Sequence, residues 1–78
     1  MVKQVVIYST PVCMYCKMAK EWFEKNKIQY LEYDLSSDSV KREEVFKKTG
    51  QMAVPVIEIG DEIIIGFDKS KLLKLLDI

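Results

Sequence analysis

The chain has 78 residues, twelve Lys and Arg against twelve Asp and Glu, no His, two Cys and 49% apolar residues. That length builds one small domain, and its globular apolar content with zero net charge excludes a disordered chain and any electrostatic drive toward nucleic acid or anionic membrane. Without His there is no imidazole base, no Cys-His nucleophile and no Cys₂His₂ zinc site, so two thiols are what remains for chemistry.

The run Val5-Val6-Ile7-Tyr8 is continuous, apolar and β-branched, and Ser9-Thr10-Pro11 closes it; it reads as a strand buried on both faces, in the middle of a sheet. From Cys13 the period changes. Met14, Met18 and Trp22, with Tyr15, Ala19 and Phe23, recur at three- and four-residue spacing and predict a helix with a broad apolar stripe, Trp22 and Phe23 in the core. Its opposite face carries Lys17, Lys20, Glu21, Glu24 and Lys25, and the stripe fades at Asn26-Lys27. Ile28 to Tyr33 is rich in strand formers. A second helix is predicted from about Ser39 to Thr49, with Val40, Val45 and Phe46 apolar, Glu43–Lys47 and Glu44–Lys48 in favourable i,i+4 order, and Gly50 as its cap. Pro55 to Ile59 and Glu62 to Ile65 flank Gly60-Asp61, a two-residue hairpin signal. Asp68 is placed to cap a last helix whose Leu72, Leu73, Leu75 and Leu76 face inward.

The order is β-α-β-α-β-β-α in a single domain over residues 1–78. A strand–helix–strand unit this compact crosses over right-handed with parallel strands, and the hairpin adds an antiparallel pair. The prediction is an α/β fold with a mixed four-stranded sheet flanked by helices. No apolar run approaches the ~20 residues that span a bilayer, and the first residues lack the apolar stretch of a signal peptide. A secreted domain of this size usually carries several bridges, whereas both cysteines here sit in one motif, which points to the cytoplasm.

Cys13-Met14-Tyr15-Cys16 is the one constellation with evident chemistry. Cys13 falls where a buried strand turns into a helix, so unpaired backbone N–H groups and the positive helix end point at its sulfur and favour thiolate over thiol, with Lys17 and Lys20 adding a smaller, screened contribution. Cys16 lies one turn further on, beside the apolar stripe, and should keep its proton longer. That asymmetry suits thiol–disulfide exchange: Cys13 attacks a disulfide, and Cys16 resolves the mixed disulfide and closes a Cys13–Cys16 bridge. A structural bridge over so small a loop would remove little unfolded-state entropy. A zinc site needs about four protein ligands where one chain offers two soft ones, so no metal is expected. The rival reading is an iron–sulfur cluster held between two chains by Cys13 of each, with glutathione.

The stretch from Val5 to Lys20 resembles the active-site segment of glutaredoxins, in which Cys-Pro-Tyr-Cys is followed closely by a small residue and a base. Val54-Pro55 resembles the family's Thr-Val-Pro segment, with Ala53 in place of Thr, and Gly66-Phe67-Asp68 its Gly-Gly-x-Asp loop, with Ile65 at the first Gly. The resemblance covers nearly the whole chain. It implies a thioredoxin fold, a dithiol–disulfide oxidoreductase, and a cis peptide before Pro55 beside the cysteines. It also implies a substrate groove formed by Tyr15, Val54, Pro55, Phe67 and Asp68, in which the backbone of Val54 pairs with an extended substrate. From the residues alone, Tyr15 and Phe67 are equally packing residues, and Asp68 is simply a helix cap.

Departures from the family pattern bear on the substrate. Glutathione-using members commonly carry a Lys where this chain has Thr10, and an acidic pair or a small residue with an acid in the late loop, where Asp68 is followed by Lys69. The grip on a glutathione carboxylate is thereby weakened, with Lys17 or Gln51 as partial replacements. Met14 stands in place of the motif Pro and shifts the redox poise. These features are similar to small glutaredoxin-like proteins that thioredoxin reductase reduces, some of which supply electrons to ribonucleotide reductase. The expectation is therefore a monomer without a tightly bound cofactor. It would act on disulfide-containing proteins, with thioredoxin reductase as reductant or glutathione as co-substrate, and without nucleic-acid or membrane partners.

Overall fold

The computed structural model describes residues 4–51 and 54–76. In chain order they form β1 (Val5–Ser9), α1 (Met14–Lys25), β2 (Leu31–Asp34), α2 (Ser39–Thr49), β3 (Val56–Ile59), β4 (Glu62–Ile65) and α3 (Lys69–Leu76). The sheet runs β2-β1-β3-β4. β1 and β2 are parallel, with Val6 opposite Leu31 and Ser9 opposite Asp34; β3 is antiparallel to β1 and to β4. The mixed four-stranded sheet is thus the one predicted, and β1 is interior, as a continuous apolar run requires.

Alternation along the strands separates two apolar layers. On one face Val5 and Ile7 pack with Ile57, Ile59, Ile64, Ala19 and Phe23 of α1 and Leu72 of α3. On the other, Tyr8 and Val56 pack with Leu35 and with Val45 of α2. Local signals set the boundaries. Asp38 caps α2 by accepting the Lys41 N–H at 3.0 Å. Gly50 closes it at φ 71°, a left-handed conformation that glycine adopts without steric cost, donating to the Phe46 carbonyl at 2.7 Å. Asp68 caps α3, its Oδ1 accepting the Lys71 N–H at 3.2 Å. No described helix is long and apolar enough to cross a membrane.

Several sequence expectations are corrected. β2 begins at Leu31 rather than Ile28, because the chain is still leaving α1: the Ile28 N–H donates to the Phe23 carbonyl and Lys27 takes φ 57°. The buried line of α1 is Cys16, Ala19 and Phe23, with Trp22 half-buried beside it. Met18, by its place in the stripe a core residue, lies two residues, about 200° of helical turn, from Cys16 and faces away at 45% exposure; Met14, two residues to the other side and inside the cysteine motif, is at the surface as expected, at 77%. Tyr15 is exposed as well. In α2 only Val45 is buried, while Val40 and Phe46 face solvent. Lys48 pairs with Glu58 of β3 at 3.2 Å instead of Glu44, which takes Lys41 at 3.3 Å. In α3, Leu72 is fully buried and Leu75 and Leu76 are partly buried against the same layer, but Leu73, 100° round from Leu72, is exposed.

This phase gives a direct contrast. Leu72→Ala should cost about 2–5 kcal/mol of unfolding free energy, whereas Leu73→Ala should fall within about 0.5 kcal/mol of the parent. Urea titrations of the two variants check it.

Candidate active site

Three loops meet at one end of the sheet. β1 ends at Ser9, and its antiparallel register with β3 (Tyr8 opposite Val56) places Pro55 and Val54 alongside the turn that leads to Cys13. β3's pairing with β4 (Val56 opposite Ile65) brings Gly66 across from Pro55, where the Gly66 N–H donates to the Pro55 carbonyl at 2.8 Å. The Val54–Pro55 peptide is cis. Because β3 is an inner strand, a proline fits only ahead of its first paired residue, and Pro55 stands there, buried. Ala53 lies outside the described residues.

The turn itself is short. The Cys13 N–H donates to the Thr10 carbonyl at 3.2 Å, and Cys13 then serves as the N-cap of α1 with extended backbone. Its sulfur does what a Ser or Asp oxygen does at other helix starts: it accepts the Cys16 backbone N–H, at 3.1 Å. With the helix dipole behind it, this N–H stabilises negative charge on the sulfur. Cys13 is partly exposed, and Val12, Met14 and Tyr15 around it are 91%, 77% and 64% exposed. The Cys13 sulfur sits in an apolar, open collar.

Cys16 is the opposite case. It is fully buried, and the two cysteines are free thiols. Burial first, then the hydrogen bond with Cys13, pushes its thiol up to about 12, against weaker opposing pulls from a backbone hydrogen bond with Thr10 and from Lys20. The asymmetry expected from the sequence is present in the exposures. Lys20 is not a free cation beside the sulfurs: its Nζ is 2.7 Å from Glu32 Oε2, which also accepts the buried Ser9 hydroxyl at 3.0 Å.

A cavity of about 180 Å³ opens beside the Cys13 turn, lined by Thr10, Leu35, Ser36, Arg42, Val45, Gln51 and Val54. Among the groove residues expected from the sequence, Val54 lines it and Pro55 lies buried next to it. Gln51 and Thr10, singled out for their relation to a glutathione carboxylate, both reach it. Phe67 instead packs its ring edge-on to Trp22, centroids 6.2 Å apart, and Asp68 is occupied in capping α3. Tyr15 lies exposed on α1 and does not line the cavity. Sequence reasoning missed Arg42, the chain's one arginine, whose guanidinium reaches the Leu35 carbonyl at 3.4 Å on the cavity wall. Being the sole guanidinium was the available signal. It also missed Ser9 and Glu32, which nothing in their local pattern distinguishes.

Comparison with known proteins agrees with this architecture. The glutaredoxin family model matches residues 5–64. The chain is 38% identical over 73 residues to an uncharacterised glutaredoxin-like 8.6 kDa protein of a rubredoxin operon in Clostridium pasteurianum, covering 94% of this chain and 97% of that one. It is 37% identical over 71 residues to the glutaredoxin-like protein NrdH of Lactococcus lactis, covering 91% and 97%. The crystal structure of a thioredoxin-like protein, solved as a mutant, superposes with a TM-score of 0.90 at 29% identity, over 96% of each chain.

The burial of Cys16 has two measurable consequences. With Cys13→Ser, the remaining thiol should resist iodoacetamide at neutral pH and react once denaturant is added. The folded state also holds the Cys16 proton more tightly than the unfolded chain, whose thiol ionises near 9. Its contribution to stability is therefore constant below about pH 9 and declines from there toward 12, which chemical denaturation across that range checks.

Proposed function

The chain belongs to the glutaredoxin family, and from that premise we propose that it is a dithiol–disulfide oxidoreductase acting on protein disulfides. The carrying observation is the pairing of an open N-cap sulfur, Cys13, with a fully buried Cys16 whose backbone N–H it accepts. In the first step the Cys13 thiolate attacks a substrate disulfide in line, one substrate sulfur leaves as thiolate, and a mixed disulfide forms. In the second, Cys16 attacks Cys13 Sγ, the second substrate sulfur leaves, and the Cys13–Cys16 bridge closes. Two electrons pass to the substrate, and a reductant reopens the bridge.

The surroundings favour a protein substrate. Val12, Met14 and Tyr15 form an exposed apolar rim of the kind that meets another protein's surface. Thr10 lines the cavity where a lysine would grip a small anionic thiol. Val54, at the cavity's edge, is the segment proposed to pair with an extended substrate strand, with the buried Pro55 next to it. Phe67 and Asp68 shape this end of the groove indirectly, through Trp22 and the start of α3. Thioredoxin reductase is the proposed reductant, with glutathione as the weaker donor.

Cys13→Ser should abolish reduction of insulin disulfides. Cys16→Ser should keep the first step and accumulate mixed disulfides visible on non-reducing gels. An intact rate in Cys13→Ser would refute the assignment of roles. NADPH oxidation should be faster with thioredoxin reductase than with glutathione and its reductase, and the reverse order would overturn the choice of reductant.

A further inference from the structure

The second step has a difficulty that the first does not. Cys16 must lose a proton inside the protein, and in the mixed disulfide Cys13 no longer carries a thiolate to take it. What faces Cys16 from each neighbouring element is therefore decisive. From α1 itself there are Cys13 at the helix start and Lys20 at i+4, on the same side one turn along. The backbone of Thr10 also reaches Cys16, and around Lys20 stand Glu32 of β2, which holds the Ser9 hydroxyl of β1, and Tyr30 just before the strand, with Asp34 two residues beyond Glu32. The residues that β3, β4 and α3 bring to this layer, Ile57, Ile59, Ile64 and Leu72, are apolar.

Lys20 is the only ammonium in that set, and it is fixed. Glu32 Oε2 holds its Nζ at 2.7 Å, and the buried Ser9 hydroxyl holds the same oxygen at 3.0 Å. An ion pair this exposed adds little to stability. Its consequence is positional, since it keeps a flexible side chain from swinging into solvent. The electrostatics are reciprocal: Lys20 pulls Cys16 toward the charged form, and Cys16 helps raise the proton affinity of Lys20, after the larger effect of Glu32.

Building on the reading that Cys16 resolves a mixed disulfide at Cys13, we propose that Lys20, pinned by Glu32 and Ser9, is a positioning residue for the resolving step: its ammonium stabilises the negative charge that grows on Cys16 Sγ. The Cys16 S–H bond breaks, Sγ forms a bond to Cys13 Sγ, and the Cys13–substrate S–S bond breaks with its electron pair leaving on the substrate sulfur. The proton given up by Cys16 ends on that substrate thiolate, or on solvent where, as with an aryl thiolate, the leaving group is too weak a base to hold it. Lys20 remains protonated throughout, and no further reactant is required.

The opposite face of the sheet supplies an internal control. There Tyr8, buried, donates to Glu58, which pairs with Lys48 at 3.2 Å. The hydroxyl–carboxylate–lysine chain is the same, without a sulfur beside it.

The test mixes the reduced full chain with excess dithiobis(nitrobenzoate) in a stopped-flow instrument. The first coloured thiolate, released at a rate proportional to reagent, reports Cys13; the second, released independently of reagent concentration, reports Cys16. Lys20→Met should slow the second release relative to the first by roughly tenfold, the equivalent of one unit in proton affinity, and move its pH profile upward. Lys20→Arg should restore both, and Lys48→Met should keep the parent ratio. A parent ratio and pH profile in Lys20→Met, or an equal fall in Lys48→Met, would overturn the proposal. A parent protein with no concentration-independent release would instead overturn the dithiol reading beneath it.

Discussion

One backbone N–H, donated by Cys16 to the sulfur of Cys13, organises this molecule. A helix start leaves several N–H groups without partners, and chains ordinarily satisfy one with a Ser, Thr or Asp oxygen. Here the cap is a sulfur, at 3.1 Å. The bond ties a requirement of folding to the proposed chemistry, because the group that completes α1 is also the one proposed to attack a disulfide. It also fixes where the site can be. β1 is an inner strand and must end before the helix begins, so the sulfur emerges at the end of the sheet where β3 starts and β4 finishes.

From that placement the inequality of the two sulfurs follows. A cap residue stands half outside the helix, and the residue three further on completes the first turn and faces the sheet. Cys13 is partly exposed and Cys16 has no exposed surface because they occupy those two positions. A bridge between them would close a very short loop and so add little stability in the entropic account. The fold therefore does not depend on a bridge, and both cysteines stand in it as free thiols.

Much of this was legible in the sequence, and the reasons differ by element. The inner strand showed as an uninterrupted β-branched run, α2 as Ser39 to Thr49 with Gly50 as its C-terminal cap, and the hairpin as Gly60-Asp61, because each rests on local chemistry. The helix faces were less legible. A stripe drawn from the apolar residues of α1 took in Met18, which docking against the sheet rotates outward, whereas the motif position of Met14 and the helical phase of Tyr15 already pointed them toward the surface. Leu73 failed for the same reason: a run of leucines does not say where its centre points. The cis peptide before Pro55 came from resemblance, since proline alone makes it a minority outcome. Arg42 on the cavity wall and Glu32 beneath Lys20 were invisible, because both reach the site through pairings between elements far apart in sequence.

The polar groups buried within the sheet layers carry the argument one step further. A buried hydroxyl needs an acceptor, and a carboxylate that approaches the core needs a cation, so Ser9–Glu32–Lys20 and Tyr8–Glu58–Lys48 are the same answer given once on each face. Satisfaction of buried polarity explains why both chains exist. It does not distinguish them. What does is register: the parallel pairing of β1 with β2 sets Glu32 under α1, against Lys20 one turn along from Cys16, whereas the antiparallel pairing with β3 sets Glu58 on the face of α2. On the proposed reading, the arrangement that satisfies buried polarity on both faces takes on a chemical role on the face that holds the thiol, and strand pairing contributes to that role as much as the cysteines themselves.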